Sequence, residues 1–147
     1  MSLPDTEAAL ARQLAAARRD GHTVLLPDDN FDQATAYAIQ EAVYEVLGTK
    51  SSGWKVGSTS KEAQRILGTD EPGAGRLLRQ WCFSNGDSIP VFDTHDVQIE
   101  VEFAFRLAVR LPFRSKPYDR HDVSDAIATV MPGIEIVGSR FNTGLAG

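Results

Sequence analysis

The sequence predicts an α+β domain, and three observations carry that expectation. Val97 to Val109 alternates at strict period two, Ala36 to Leu47 carries an apolar stripe at helical spacing, and Gly133 to Arg140 is a second strand-length apolar run. With 147 residues, 42% of them hydrophobic and 24% charged, the chain is one ordinary domain with enough apolar mass for a core.

Thr6 to Asp20 is alanine-rich, with Leu10, Leu14 and Ala17 at helical spacing and Gly21 as a C-terminal stop, so its thin apolar stripe is expected at the surface or against a partner. Pro27 to Asn30 make a turn, and Asp29 or Asp32 is available to cap the next helix. That helix carries Ala36, Ile39, Val43, Val46 and Leu47 on one stripe and ends at Gly48. Glycines on both sides of Trp54-Lys55-Val56 predict a short strand whose backbone passes close to a neighbour.

Thr59 and Glu62 have capping-box spacing for a short helix with Ala63, Ile66 and Leu67 on its apolar side. Gly73-Ala74-Gly75 and Gly48 to Ser51 lack the remaining glycines of nucleotide-binding loops and read as turns, which removes a nucleotide-binding domain from consideration. Arg76 to Phe83 reads as a strand with Trp81 and Cys82 in the core, closed by an Asn85-Gly86-Asp87 turn. Pro112 to Arg120 is a polar loop, and Val123, Ile127, Val130 and Met131 predict a fourth helix stopped by Pro132 and Gly133.

Composition excludes several classes of partner. A net charge of −5 gives no basic footprint for nucleic acid, and no apolar run has membrane length. The lone Cys82 cannot form an internal disulfide, no Cys/His cluster has zinc spacing, and a cytoplasmic protein is the expectation.

The long strand has a consequence for chemistry. Its odd positions, Val97 through Val109, are apolar and predict one buried face, while Glu100 and Glu102, two apart, leave the other face about 7 Å from each other. Those carboxylates are either a solvated face, with Glu102 near Arg106 as a weak surface pair, or a grip on a cation. Glu135 bears on the choice, because it interrupts an apolar strand and points away from Ile134 and Ile136; burying it requires a cation or several donors. Three glutamates on two strands are an all-oxygen ligand set of the kind that suits Mg²⁺ or Mn²⁺. Lys55 is a solvated strand lysine or a member of the same site.

Four motifs, in this order, resemble one family: G-W-K-V-G-S-T-S (Gly53 to Ser60), Q-R-I-L-G (Gln64 to Gly68), E-V-E-F-A-F (Glu100 to Phe105) and P-G-I-E-I-V-G-S-R (Pro132 to Arg140). Together they are similar to the 2-oxopent-4-enoate hydratase and 4-oxalocrotonate decarboxylase group of the fumarylacetoacetate hydrolase superfamily, from about Tyr37 to Arg140. The resemblance implies a mixed, curved β-roll with N-terminal and peripheral helices. Residues 1–50 would be the N-terminal helical segment and 51–147 the first part of the catalytic domain. It implies Glu100, Glu102 and Glu135 as metal ligands for Mg²⁺ or Mn²⁺, with Lys55 and Glu102 as catalytic residues.

The activity implied is hydration of 2-hydroxypenta-2,4-dienoate in aromatic-compound breakdown, or decarboxylation of 4-oxalocrotonate, which these motifs do not separate. The implied partners are a small 2-oxo or 2-hydroxy dienoic acid, a second copy of the chain in a homo-oligomer, and a homologous hydratase or decarboxylase. Members of the family are longer, and their C-terminal half continues the sheet. The chain is therefore expected to be incomplete as a β-roll, with an unpaired edge and an uncovered apolar face. The competing expectation is a non-catalytic fragment or partner-dependent subunit.

Overall fold

The computed structural model describes residues 3–28 and 31–144. They form a mixed α and β fold in the order α1 (Asp5–Asp20), α2 (Gln33–Leu47), β1 (Ser51–Gly57), α3 (Lys61–Ile66), β2 (Gly73–Leu78), β3 (Gln98–Leu107), α4 (Arg120–Ala126) and β4 (Ile127–Val137). The strands make two antiparallel ribbons, β1 with β2 and β3 with β4.

In α1, Asp5 and Glu7 lie in the first turn and Arg18 and Arg19 in the last, matching the helix dipole, and Gly21 closes the helix in the left-handed region. Its alanine stripe is not at the surface: α1 packs on α2, and Ala11, Ala15 and Ala17 are buried. Small side chains let the helix approach its neighbours closely, so a stripe that looks thin by volume still forms a core seam. Asp32 caps α2 by accepting from the Thr35 N–H at 2.8 Å, while Asp29 lies outside the described residues.

From α2, Tyr37, Glu41 and Tyr44 reach the outer edge of β2. The Ala74 and Arg76 N–H groups donate to the Tyr37 and Tyr44 hydroxyls at 3.1 and 2.8 Å, and Arg76 forks onto Glu41 with two 2.9 Å bonds. Edge donors that would otherwise be free are thereby satisfied. Gly73-Ala74-Gly75 is accordingly strand and not turn: a Cβ on Gly75 would sit 3.4 Å from the Tyr44 hydroxyl, so glycine keeps the helix close.

Other expectations shift for local reasons. Ser60, one residue beyond Thr59, caps α3 by accepting from Ala63 N–H, which leaves Ile66 and Leu67 exposed and Gln64 buried. β2 ends at Leu78 in a 3-10 turn, Arg79–Trp81, where Arg18 covers the Trp81 ring at 4.4 Å and Cys82 is exposed instead of in the core. The expected fourth helix covers only Arg120–Ala126, because Ile127, Val130 and Met131 continue as strand along β3. Pro132 is tolerated there because β4 has no second strand neighbour among the described residues.

The β3 pattern is correct in parity and reversed in burial. Ile99, Val101, Phe103 and Phe105 pair with Ile136, Ile134, Pro132 and Val130 to make one continuous apolar face. Among the described residues nothing covers it, with Val101 81% and Phe103 79% exposed. The polar face turns inward toward β1. No helix of the described residues is long and apolar enough to cross a membrane.

Two variants check this distribution of burial. Leu78, 2% exposed, is expected to cost about 2–5 kcal/mol when changed to Ala, whereas Phe103→Ser stays within about 0.5 kcal/mol in urea unfolding of this chain. A large loss with Phe103→Ser would mean that the ribbon face is covered in solution. Tyr44→Phe, which strips the Arg76 N–H of its acceptor, is expected to cost about 1–2 kcal/mol.

Candidate functional site

The two ribbons meet at charged groups. Along β1, Gly53, Lys55 and Gly57 share the inner face, so the lysine has no side-chain neighbour on its own strand and its stem can lie along the sheet. Across from it, β3 presents Glu100 and Glu102 at period two, and the antiparallel register sets Glu135 of β4 directly opposite Glu100 and Gly133 opposite Glu102. An oxygen from each of the three carboxylates lies within 4.8 Å of the others.

The Lys55 ammonium fills the space between them, with Nζ 2.6 Å from Glu135 Oε2, 3.1 Å from Glu102 Oε1 and 3.6 Å from Glu100 Oε2. It donates a hydrogen bond to Glu102. The four side chains are partly exposed, from 28% for Lys55 to 50% for Glu100. Burial disfavours the Lys55 charge, yet the contacts and charges of Glu135 and Glu102 outweigh it and hold the ammonium well above its ordinary pKa. Its stabilising contribution is therefore complete below the ordinary lysine range and is lost only as pH rises through the higher folded-state value. Glu102 pairs with Lys55, and among the described residues no ion pair joins it to Arg106.

Glu135 Oε2 has a particular status. It is sealed from solvent, and the Lys55 ammonium 2.6 Å away is the cation that compensates it. A buried carboxylate oxygen needs such a partner, and it is also the kind of atom a hard cation coordinates. The all-oxygen donor set matches Mg²⁺ or Mn²⁺ better than zinc.

All four side chains that the sequence singles out are thus brought together. What the sequence reading missed is the support behind Lys55, namely the Tyr37, Glu41 and Tyr44 stripe that fixes β2 and through it β1. The signal was present, since positions i, i+4 and i+7 lie on one helix face. An open cleft of about 300 Å³ between α2 and the β1–β2 ribbon is lined by Tyr44, Glu45, Thr49, Ser51 and Arg76, and none of the four site residues borders it.

Comparison with known proteins makes the chain a homologue of 2-keto-4-pentenoate hydratases, with a structural likeness to a 4-oxalocrotonate decarboxylase. In particular, the chain is 33% identical over 145 residues to a 2-keto-4-pentenoate hydratase of Paraburkholderia xenovorans (strain LB400), covering 93% of this chain and 52% of the relative. It is 34% identical to 2-keto-4-pentenoate hydratase 1 of Dechloromonas aromatica (strain RCB), over 95% of this chain and 54% of that one. Among solved structures, 4-oxalocrotonate decarboxylase from Pseudomonas putida G7, complexed with calcium and acetate, matches with a TM-score of 0.76 and 26% identity, over 95% of this chain and 56% of that chain. The same enzyme complexed with magnesium and adipate matches with a TM-score of 0.75. No family model matches the sequence. The chain spans about half the length of the curated relatives it matches.

Cross-strand like charges destabilise a ribbon, and Glu100 faces Glu135 directly while standing farthest from Lys55. Glu100→Gln is therefore expected to raise stability in chelator by about 0.2–1 kcal/mol while removing any stabilisation by added Mg²⁺, as read by thermal unfolding. A loss of stability in chelator would contradict the repulsion argued here.

Proposed function

We propose that this chain is the carboxylate-bearing part of a divalent-metal-dependent lyase, a hydratase that converts 2-hydroxypenta-2,4-dienoate to 4-hydroxy-2-oxopentanoate. The observation that carries this reading is the convergence of Glu100, Glu102 and Glu135 around one point, with the Glu135 Oε2 atom buried against the Lys55 ammonium. Homology to the 2-keto-4-pentenoate hydratases supports the substrate class. Decarboxylation of 4-oxalocrotonate is the second reading, favoured by the structural likeness to that decarboxylase.

In this reading Glu100, Glu102 and Glu135 hold Mg²⁺ or Mn²⁺. A divalent metal held there would supply Lewis-acid chemistry toward the oxygens of a 2-oxo acid. Lys55 holds its proton at Nζ in its present setting, so it is suited to clamp the substrate carboxylate and not to exchange a proton. Glu102 lies 3.1 Å from Nζ and orients it.

Further parts of the proposal concern the whole protein. Residues 1–50 form the helical segment and 51–147 the first part of the catalytic domain, which is a curved β-roll completed by further polypeptide. The apolar face of β3 and β4 supports that completion and supports assembly as a homo-oligomer or with a homologous hydratase or decarboxylase. A cytoplasmic setting fits the lone unpaired Cys82.

The test is the loss of dienol absorbance on adding 2-hydroxypenta-2,4-dienoate with Mg²⁺, beside carbon dioxide release from 4-oxalocrotonate. Turnover is expected to need the metal and to fall about 100-fold or more in kcat/KM with Glu102→Gln. Undiminished turnover in that variant would remove the ligand role of Glu102. Metal uptake without turnover of either acid would favour the partner-dependent subunit.

A further inference from the structure

Lys55 occupies the space that a cation shared by the three carboxylates would take. Nζ lies no farther than 3.6 Å from any of the three, and the oxygens that could bind a metal fall within 4.8 Å of one another. A Mg²⁺ at about 2.1 Å from each would overlap the ammonium where it now sits. One ammonium against three carboxylates also leaves two negative charges uncompensated, so the cluster attracts a divalent cation even while Lys55 fills it.

The lysine has somewhere to go. Its stem is four flexible carbons long, and its neighbours on the inner face of β1 are Gly53 and Gly57. Neither glycine carries a side chain beside the lysine stem, and a Cβ at Gly57 would come no closer than ordinary contact, 3.8 Å from Nζ. The backbone of β1 need not move, because β2 pairs with it and is held in turn by the Tyr37 and Tyr44 hydroxyls.

We propose that Lys55 is a tethered counter-cation, which fills the carboxylate cluster until a divalent cation displaces it and then presents its freed ammonium to the anionic substrate. This inference rests on the metal-binding reading given above and adds to it an order of events. Metal entry and lysine release become a single exchange. Before the exchange the carboxylates screen the lysine from a substrate anion; after it the lysine is a free positive group beside the loaded site. In the alternative arrangement the ammonium stays among the carboxylates beside the metal; removing the lysine charge relieves repulsion of the metal in either case, so the two are told apart by whether Lys55 is released when the metal enters.

Isothermal titration of Mg²⁺ into the full chain and into Lys55→Met and Lys55→Arg tests the competition between lysine and metal, and the acylation rate of Lys55 then tests its release. Lys55→Met, which keeps the stem and removes the competitor, is expected to bind about tenfold tighter than wild type. Its metal-free form is expected to unfold at lower temperature and to gain more on Mg²⁺ saturation. Lys55→Arg keeps a cation in the cluster and is expected to bind no more tightly than wild type.

A second measurement uses the wild-type chain alone. Acylation of its four lysines, followed by peptide mass spectrometry, is expected to modify Lys55 faster in saturating Mg²⁺ while Lys50, Lys61 and Lys116 keep their rates. A Lys55→Met variant that binds Mg²⁺ as wild type does, or more weakly, overturns the displacement, as does a Lys55 acylation rate that Mg²⁺ leaves unchanged. No uptake of Mg²⁺ by wild type or either variant overturns the metal reading itself and the exchange with it, which keeps the two failures apart.

Discussion

An ammonium among three carboxylates joins the two β-ribbons of this chain, and much of the surrounding structure holds it there. Lys55 comes from β1, Glu100 and Glu102 from β3, and Glu135 from β4. Convergence of three like charges opposes folding, and in a half-exposed setting one lysine offsets only part of that repulsion. The remainder is carried by backbone pairing. The long β3–β4 register, from Gln98↔Val137 to Leu107↔Ile127, fixes Glu100 against Glu135 whatever their charges prefer. On the other side, α2 clamps β2 through Tyr37, Tyr44 and the Glu41–Arg76 fork, and β2 carries β1.

The β3–β4 ribbon is two-faced in an instructive way. In an ordinary globular domain the apolar face of an alternating strand is covered and the charged face is wet. Here the charged face meets β1, and Ile99, Val101, Phe103 and Ile134 face outward. An apolar surface this continuous is of the kind that marks an interaction face. The chain spans about half the length of the relatives it matches.

How much of this was legible in the sequence depends on whether the determinant was local. Period two in Gln98–Leu107 fixes that Glu100 and Glu102 share a face, and the isolated acid in Ile134-Glu135-Ile136 fixes which face Glu135 joins. The α2 stripe with its Asp32 cap and Gly48 stop is equally local. Non-local pairing decided the rest. Val123, Ile127, Val130 and Met131 fit a helical stripe, and Pro132-Gly133 fits a stop, yet ten residues of β3 recruit that segment from Ile127 onward as strand. Gly73-Ala74-Gly75 looks like a turn until Tyr44 and Gln40 are seen pressing on Gly75. The meeting of Lys55 with the glutamates was legible only through the family resemblance, since no spacing in the chain relates position 55 to positions 100, 102 and 135.

A tethered ammonium also bears on which cations the cluster accepts. A side chain held beside its partners acts at an effective concentration in the millimolar range or above, and it costs no loss of translational freedom when it binds. A monovalent ion that replaced Lys55 would leave two negative charges on the cluster, and the expelled ammonium nearby could balance only one of them. A divalent ion leaves one, and the expelled ammonium, still attached to β1, remains close enough to balance it. The same arrangement that destabilises the metal-free ribbon therefore favours divalent over monovalent occupancy. That discrimination follows from charge count and tether length alone and requires no close fit of the cavity to ionic radius.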